Sequence, residues 1–412
     1  MENKFYYECT TCGAQYQNDQ VTYLCPECEK NNSVNIPPKG ILKTLYHYNK
    51  IKNSTKQSKL FDKLKAKEYK DILPILSERS LSYLKVGKTP LYHLNSKTFG
   101  ITNTNFTMLI KDDSQNPTFS FKDRASDLVC AYAKEQGIDK IVAASTGNAG
   151  SSLAGICASQ KQSAIIFAPA SAPKAKLTQI LMYGARLIPV EGTYDDAFEL
   201  SLKATEKFGL YNRNTAFNPF TIEGKKVVSL EIFQQLKQNL PDRVFVPVGD
   251  GCIISGVYKG FEDLLRLNLI TKIPTIIAVQ SEKSDSIIRN LKSDNFVIKR
   301  STTLADSIAV DVPRNFWMTK KYLEEYNGEY ISVSDQEILS ASNILSNNTG
   351  IFAEPAAATA FAGILKYSEQ GLITENSSNV ILLTGSGLKD LNSVQSIIKI
   401  PSAVNSLDDL SL

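Results

Sequence analysis

Two histidines and one tryptophan in 412 residues leave little room for the chemistries those side chains usually carry. His47 and His93 have no matching acid or cysteine spacing. No histidine-ligated metal is expected, and a Ser-His-Asp hydrolase is excluded because it needs a positioned imidazole base. Trp317, in Arg314-Asn315-Phe316-Trp317, is read as packing. No run of about 18 apolar residues occurs, so no membrane span is expected. The net charge is only +4, and the lysines are dispersed apart from some crowding between Lys50 and Lys70; a nucleic-acid partner would meet no basic footprint. Met1-Glu2-Asn3-Lys4 leads into a cysteine pair rather than an apolar stretch. No secretory signal is expected, and the default compartment is cytoplasmic. With 42% hydrophobic and 21% charged residues the chain has the composition of a soluble globular protein, long enough for about two or three domains.

The seven cysteines are an odd number, and four of them cluster. Cys9-x2-Cys12 and Cys25-x2-Cys28 are each a tight knuckle that converges two thiolates, and two knuckles supply four soft ligands at tetrahedral geometry. A thioredoxin-like redox pair would need a βαβ surrounding that neither pair has. The expectation is a zinc ribbon with a structural Zn2+, since four protein ligands leave no open position for chemistry. Tyr16 and Val21 to Leu24 suggest the two short strands that carry the knuckles. Cys130, Cys157 and Cys252 are separate thiols.

The stretch around Lys122 organises the rest. Phe106 to Ile110 reads as a strand, and Asn116-Pro117 breaks the backbone into a turn. Ser120 is a candidate N-cap, with Asp123 where a capping-box acid would sit. An amphipathic helix follows, through Ala125, Leu128, Val129, Tyr132 and Ala133, to a C-cap at Gly137. Lys122 then lies at the positive end of a helix dipole, where a neutral, nucleophilic amine costs less. Farther on, strand and helix patterns alternate: Lys140 to Ser145, Ser151 to Ser159, Ser163 to Ala168, Lys174 to Tyr183, Arg186 to Val190. That rhythm implies a parallel sheet with right-handed crossovers, whose ligands bind at the carboxyl ends of strands. Ser145-Thr146-Gly147-Asn148-Ala149 and Gly249-Asp250-Gly251-Cys252-Ile253 are such turns. The G-x-G-x4-G spacing from Gly249 is not the dinucleotide fingerprint, and Walker A is absent.

Ser120-Phe121-Lys122-Asp123-Arg124 resembles the lysine segment of fold-type II pyridoxal-phosphate enzymes, most closely that of the threonine synthases. Other motifs follow in the family's order between about residues 86 and 392: Val86-Gly87-Lys88-Thr89-Pro90-Leu91, the loop from Ser145, Asn218-Pro219 with Glu223-Gly224-Lys225-Lys226, the segment Ser301 to Ala309, Gly350 to Ala358 with Glu354-Pro355, and Thr384-Gly385-Ser386-Gly387-Leu388-Lys389-Asp390. The resemblance implies two parallel-sheet α/β domains with the cofactor in the cleft. It implies that Lys122 forms the Schiff base with pyridoxal 5'-phosphate, that Asn148 meets the phenolic oxygen, that Gly249, Asp250, Gly251, Cys252 and Ile253 cradle the phosphate, and that Thr384 meets the pyridine nitrogen. Ser145, Thr146, Gly147, Asn214 and Thr215 are the implied substrate contacts.

The implied activity is that of a lyase forming threonine and phosphate from O-phosphohomoserine. Related β-replacement or β-elimination chemistry, as in a threonine or serine ammonia-lyase or a cysteate-synthase-like enzyme, is the alternative. A non-catalytic binding protein on the same fold is a third reading. One departure bears on the substrate. Threonine synthases generally carry an arginine just before Glu-Gly, where this chain has Phe220-Thr221-Ile222; Arg213, Lys225 or Arg124 are the cations available instead. Asp250 is a second departure, and an acid in a phosphate loop should face away or cap the helix. A homodimer is the family's expectation. The expected units are a zinc ribbon at 1–35, an N-terminal segment with part of the large domain at 36–105, a small α/β domain at 106–220, a large α/β domain at 221–400 and a tail at 401–412.

Overall fold

Alternate residues of Phe5–Cys9 (β1) are buried, as expected of a strand with one face on a core. In the computed structural model, which describes residues 3–33, 35–172, 174–293, 295–398, 400, 401 and 403, β1 is the middle strand of a small antiparallel sheet. Gln15–Gln17 (β2) flanks it on one side. The short helix Pro26–Glu29 (α1), with proline at its start, carries the second cysteine knuckle, and Leu42–Tyr46 (β3) completes the sheet. Val21 to Leu24 does not form the expected strand. Only Leu24 pairs, in a single antiparallel bridge to Ile41 flanked by the bond from the Cys25 N–H to the Gly40 carbonyl at 2.8 Å.

β3 is buried along its length and joins the ribbon to the body. The Phe5 and Phe220 rings meet edge to face at 5.6 Å, and Lys43 pairs with Glu262 at 3.0 Å. Tyr46 donates to Glu223, Tyr48 donates to Asp263 at 2.6 Å, and the Trp317 indole donates to the Pro37 carbonyl at 3.0 Å. Tyr48–Lys52 (α2) and Gln57–Ala66 (α3) follow. Between Lys70 and Leu81 the chain makes two 3-10 turns, Lys70–Ile72 and Glu78–Ser80, separated by Pro74, which has no N–H to donate.

The chain then alternates as its pattern predicts: Leu91–Asn95 (β4), Thr107–Asp112 (β5), Lys122–Glu135 (α4), Lys140–Ala144 (β6), Asn148–Gln160 (α5), Ser163–Pro169 (β7), Lys174–Met182 (α6), Arg186–Val190 (β8), Tyr194–Phe208 (α7), Tyr211–Asn212 (β9) and Phe220–Gln235 (α8). After these come Arg243–Pro247 (β10), Cys252–Arg266 (α9), Thr275–Ser281 (β11), Phe316–Glu325 (α10), Glu329–Val333 (β12), Asp335–Thr349 (α11), Pro355–Glu369 (α12) and Ser378–Leu383 (β13). Two larger sheets result. One is all parallel, in the order β8-β7-β6-β9; the other runs β12-β11-β10-β13-β5-β4 and is parallel except for β4 against β5. Apolar runs such as Val380 to Leu383, buried on both faces, are what a sheet covered by helices requires.

β5 lies in the six-stranded sheet, so a boundary at 106 falls inside that sheet rather than between the two. The tail from 401 lies outside the described residues except for 401 and 403. α8 packs against both α4 and α9. Gly224 makes the first contact possible, since a Cβ there would stand 2.1 Å from the Arg124 carbonyl oxygen. Among the described residues no helix is long and apolar enough to cross a membrane.

Candidate active site

The lysine segment leaves β5 at the carboxyl edge of the six-stranded sheet and is pinned there. The Phe121 N–H donates to the Thr384 carbonyl at 2.8 Å, the Ser386 N–H donates to the Phe119 carbonyl at 3.1 Å, and Ser120 bridges Gly385. Phe119 is held at φ +67°, an uncommon conformation for an aromatic residue and one found chiefly where surrounding structure imposes it. α4 then starts at Lys122. Ser120 is not its cap: Phe121 is the residue that precedes the helix, and the buried Ser120 hydroxyl has no hydrogen-bond partner among the described residues. Asp123 instead reaches back to Thr118, accepting from its N–H at 2.7 Å and from its hydroxyl. Burial lowers the Lys122 pKa, and the Arg213 guanidinium lowers it further against Asp250 and Glu354.

Arg124 is fully engaged elsewhere. Its guanidinium forks onto Glu231, with both bonds at 2.8 Å, and also binds Asp113. Lys111 adds a second cation at 2.8 Å from Glu231. This buried cluster braces β5, α4 and α8, and it removes Arg124 from the cations available to a ligand.

Across the cleft, the turn after β6 begins α5. The Ser145 hydroxyl accepts from the Gly147 N–H at 3.2 Å, and Gly147 precedes the helix without a side-chain cap, so the first amides of α5 are open. Asn148 donates to Glu354 at 2.9 Å and to Ser307 at 3.3 Å, so both sheets contribute to this point. Burial raises the Glu354 carboxyl to about 7, with Asn148 and Lys389 opposing. Lys389 itself donates to the Ser151 hydroxyl at 2.9 Å.

Asn214 is turned into the fold. Its carbonyl oxygen accepts from the Ala144 N–H and its amide donates to the Ser201 hydroxyl, both at 2.7 Å. The expected substrate contact has become a structural tie between β6 and α7. The Thr215 hydroxyl accepts from Arg213 at 3.3 Å, while the Arg213 Nε donates to Ser126 at 3.2 Å. No carboxylate pairs with Arg213 among the described residues, and burial lowers its pKa to about 10.

The glycine turn after β10 ends in α9. Gly251 has φ +84°, and a Cβ on it would meet the Thr319 hydroxyl at 2.2 Å, so glycine is required on both counts. The Asp250 carboxylate accepts the Arg314 backbone N–H at 3.0 Å, the sideways disposition expected of an acid beside a phosphate loop. Gly251 precedes α9 and offers no side-chain cap, leaving the amides of Cys252 and Ile253 open. Burial pushes the Cys252 thiol up to about 12, so it is an inert buried thiol. Thr384 is buried at the end of β13, where its carbonyl holds the lysine segment.

The four N-terminal cysteines also converge. Their sulfurs lie within 4.8 Å of one another, with Cys9–Cys28 and Cys12–Cys25 at 3.8 Å. About 3.8 Å is the edge of a tetrahedron with metal–sulfur bonds of about 2.3 Å. Lys389 is not among the site residues expected from sequence, and Lys225 and Glu354 are named there only as an available cation and as part of a motif. Each lies in a motif that was visible, but its burial and the presence or absence of a partner are three-dimensional facts.

The chain matches the model of the family described as pyridoxal-phosphate dependent enzyme over residues 83–385. It is 33% identical to the threonine synthase of Methanocaldococcus jannaschii, covering 93% of this chain and 92% of that one. It is 32% identical to that of Methanosarcina acetivorans, covering 97% and 96%. Among solved structures, the processed form of threonine deaminase isoform 2 from Solanum lycopersicum superposes with a TM-score of 0.65 at 24% identity, covering 78% of this chain and 90% of that one, which is a likeness of fold.

Proposed function

The chain belongs to the pyridoxal-phosphate-dependent enzyme family, and we propose that it acts there as a threonine synthase, converting O-phosphohomoserine and water to threonine and phosphate. The observation that carries this reading is similarity to threonine synthases at 32 to 33% identity along nearly the full length of both partners. The donor set suits the cofactor. An amine with a lowered pKa stands at the head of α4, and open amides at the start of α9 await an anion.

Pyridoxal 5'-phosphate bound there supplies an aldehyde that condenses with amines and a ring that accepts electrons from the substrate's α carbon. In this reading Lys122 holds the aldehyde in the resting enzyme and Asn148 the phenolic oxygen. The turn Gly249, Asp250, Gly251, Cys252 and Ile253 holds the phosphate, and the Thr384 hydroxyl holds the ring nitrogen. Ser145, Thr146 and Gly147 offer the N-terminal amides of α5 to the substrate carboxylate, with Thr215 nearby and Asn214 fixing the segment. With its amine free, Lys122 would serve as the base and then the acid that moves protons at the α, β and γ carbons. The Cγ–O bond breaks and phosphate leaves. The γ carbon takes a proton in place of the one lost from the β carbon and becomes the methyl group. Water adds its hydroxyl at the β carbon, and the α carbon regains its proton. Glu354, holding its proton near neutrality, keeps Asn148 in place without adding full negative charge to the pocket.

The ribbon cysteines Cys9, Cys12, Cys25 and Cys28 hold a structural Zn2+ in this reading. Their sulfur spacing and closed four-ligand set support it. The cytoplasm is the compartment proposed.

Purified protein loaded with cofactor should release phosphate and threonine in equal amounts from O-phosphohomoserine, and Lys122→Ala should abolish both. Ammonia and keto acid from serine or threonine, with no phosphate released from O-phosphohomoserine, would assign the β-elimination chemistry instead.

A further inference from the structure

One buried lysine stands without a hydrogen-bond partner among the described residues. Lys225, in the second turn of α8, is 0% exposed, and its Nζ makes no hydrogen bond. An isolated buried charge costs several kcal/mol, so its retention calls for a counter-charge. The next residue shows what the chain does when it supplies one: Lys226, equally buried, pairs with Glu223 and, at 2.6 Å, with Asp263.

The groups facing Lys225 do not neutralise it. Cys252, Arg213, Lys122 and Asp250 act on it. Cys252 is a thiol, Arg213 and Lys122 are like charges, and the Asp250 carboxylate, the one anion among them, favours the ammonium but makes no hydrogen bond to it. The side chain leaves α8 toward α9, since a Cβ placed on Gly256 would lie 2.6 Å from the Lys225 Cβ. The uncapped start of that same helix is one turn away, at Cys252. Unmatched positive charge and open amides therefore converge on one spot.

We propose that Lys225 is the counter-charge for a phosphate monoester dianion bound at the start of α9. Two phosphates could supply this chemistry, the cofactor's own and the substrate's; only the second rests on the function proposed above. Bound phosphate would complete the pair that the fold leaves open, and Arg213 would add to it from the small-sheet side. In the absence of the anion, burial together with Arg213 and Lys122 holds Lys225 down at about 7.

The test compares wild type with Lys225→Met, an apolar side chain of similar length, and Lys225→Arg, which keeps the charge; circular dichroism checks that each is folded. Cofactor-free full-length protein is titrated with pyridoxal phosphate and, separately, with pyridoxal. If the cofactor phosphate is the partner, Lys225→Met lowers the preference for the phosphorylated form by about 10- to 100-fold, the loss expected for a charge-assisted bond, and Lys225→Arg retains most of it. If the substrate phosphate is the partner, that preference is unchanged, and cofactor-loaded Lys225→Met binds inorganic phosphate more weakly by a similar factor. Folded Lys225→Met with wild-type affinity in both titrations overturns the proposal. Neither titration uses turnover, so failure of the threonine-forming reaction leaves both readable.

Discussion

Asn148 Nδ2 lies 2.9 Å from one oxygen of Glu354 and 3.1 Å from the other, joining the first residue of α5 to the residue that precedes α12. One belongs to the four-stranded half and the other to the six-stranded half, so this contact spans the cleft. Because Glu354 is buried, its carboxyl holds its proton up to about pH 7, against 4.5 for the ordinary group. The unfolded chain loses that proton near 4.5. Between about 4.5 and 7 the folded state therefore binds more protons, and stability falls as pH rises through that window. Urea unfolding of cofactor-free protein should show this slope, and Glu354→Gln should flatten it. Equal slopes in both proteins would show that Glu354 does not titrate there.

Glu231 has the opposite sign. Burial would raise its pKa, but Arg124 and Lys111 outweigh that and hold it at about 2. Its contribution is full above about 4.5 and is lost as pH falls toward about 2. Glu231→Gln should weaken the acid branch of the stability curve and cost about 3 to 5 kcal/mol at neutral pH, because two buried cations lose their counter-charge. Denaturant titrations at pH 7 and pH 3 check both parts.

The ribbon predicts a metal content. Elemental analysis should find one zinc per chain, and Cys9→Ser or Cys28→Ser should abolish it. Loss of zinc should also loosen β3 from the body, seen as faster amide exchange at Leu42 to Tyr46. Full ribbon protection without metal would mean that the packing of Phe5 and Tyr46 suffices.

Asn214→Ala separates positioning from binding. Its amide bonds Ala144 and Ser201, so removal should cost about 1 to 3 kcal/mol of stability, the penalty for orphaning buried polar partners. A large rise in KM with unchanged stability would place Asn214 against the substrate.

The alternation of strands and helices was legible because each buried parallel strand is a short apolar run bounded by a turn residue. The ribbon was legible because cysteine spacing is itself the geometry of a knuckle. What the sequence hid was mostly partnership. Arg124 and Lys225 read alike as available cations, yet one is clamped by Asp113 and by Glu231, 107 positions away, and the other has no hydrogen-bond partner among the described residues. Ser120 read as a cap because Asp123 stands at capping-box spacing, yet Asp123 bonds Thr118 and the helix begins one residue later, after Phe121. β3 was missed because Lys43 and Thr44 break its apolar pattern, whereas in the fold both are buried and Lys43 pairs with Glu262 of α9.

The most direct test of the threonine-forming reaction is turnover of O-phosphohomoserine in water enriched in oxygen-18, with both products analysed by mass spectrometry. Elimination at the γ carbon followed by addition of water at the β carbon predicts one labelled oxygen in the threonine hydroxyl and none in the phosphate, with both products lost in Lys122→Ala. Label in the phosphate, with homoserine as the other product, would mean simple phosphate hydrolysis and would contradict the function proposed for this site.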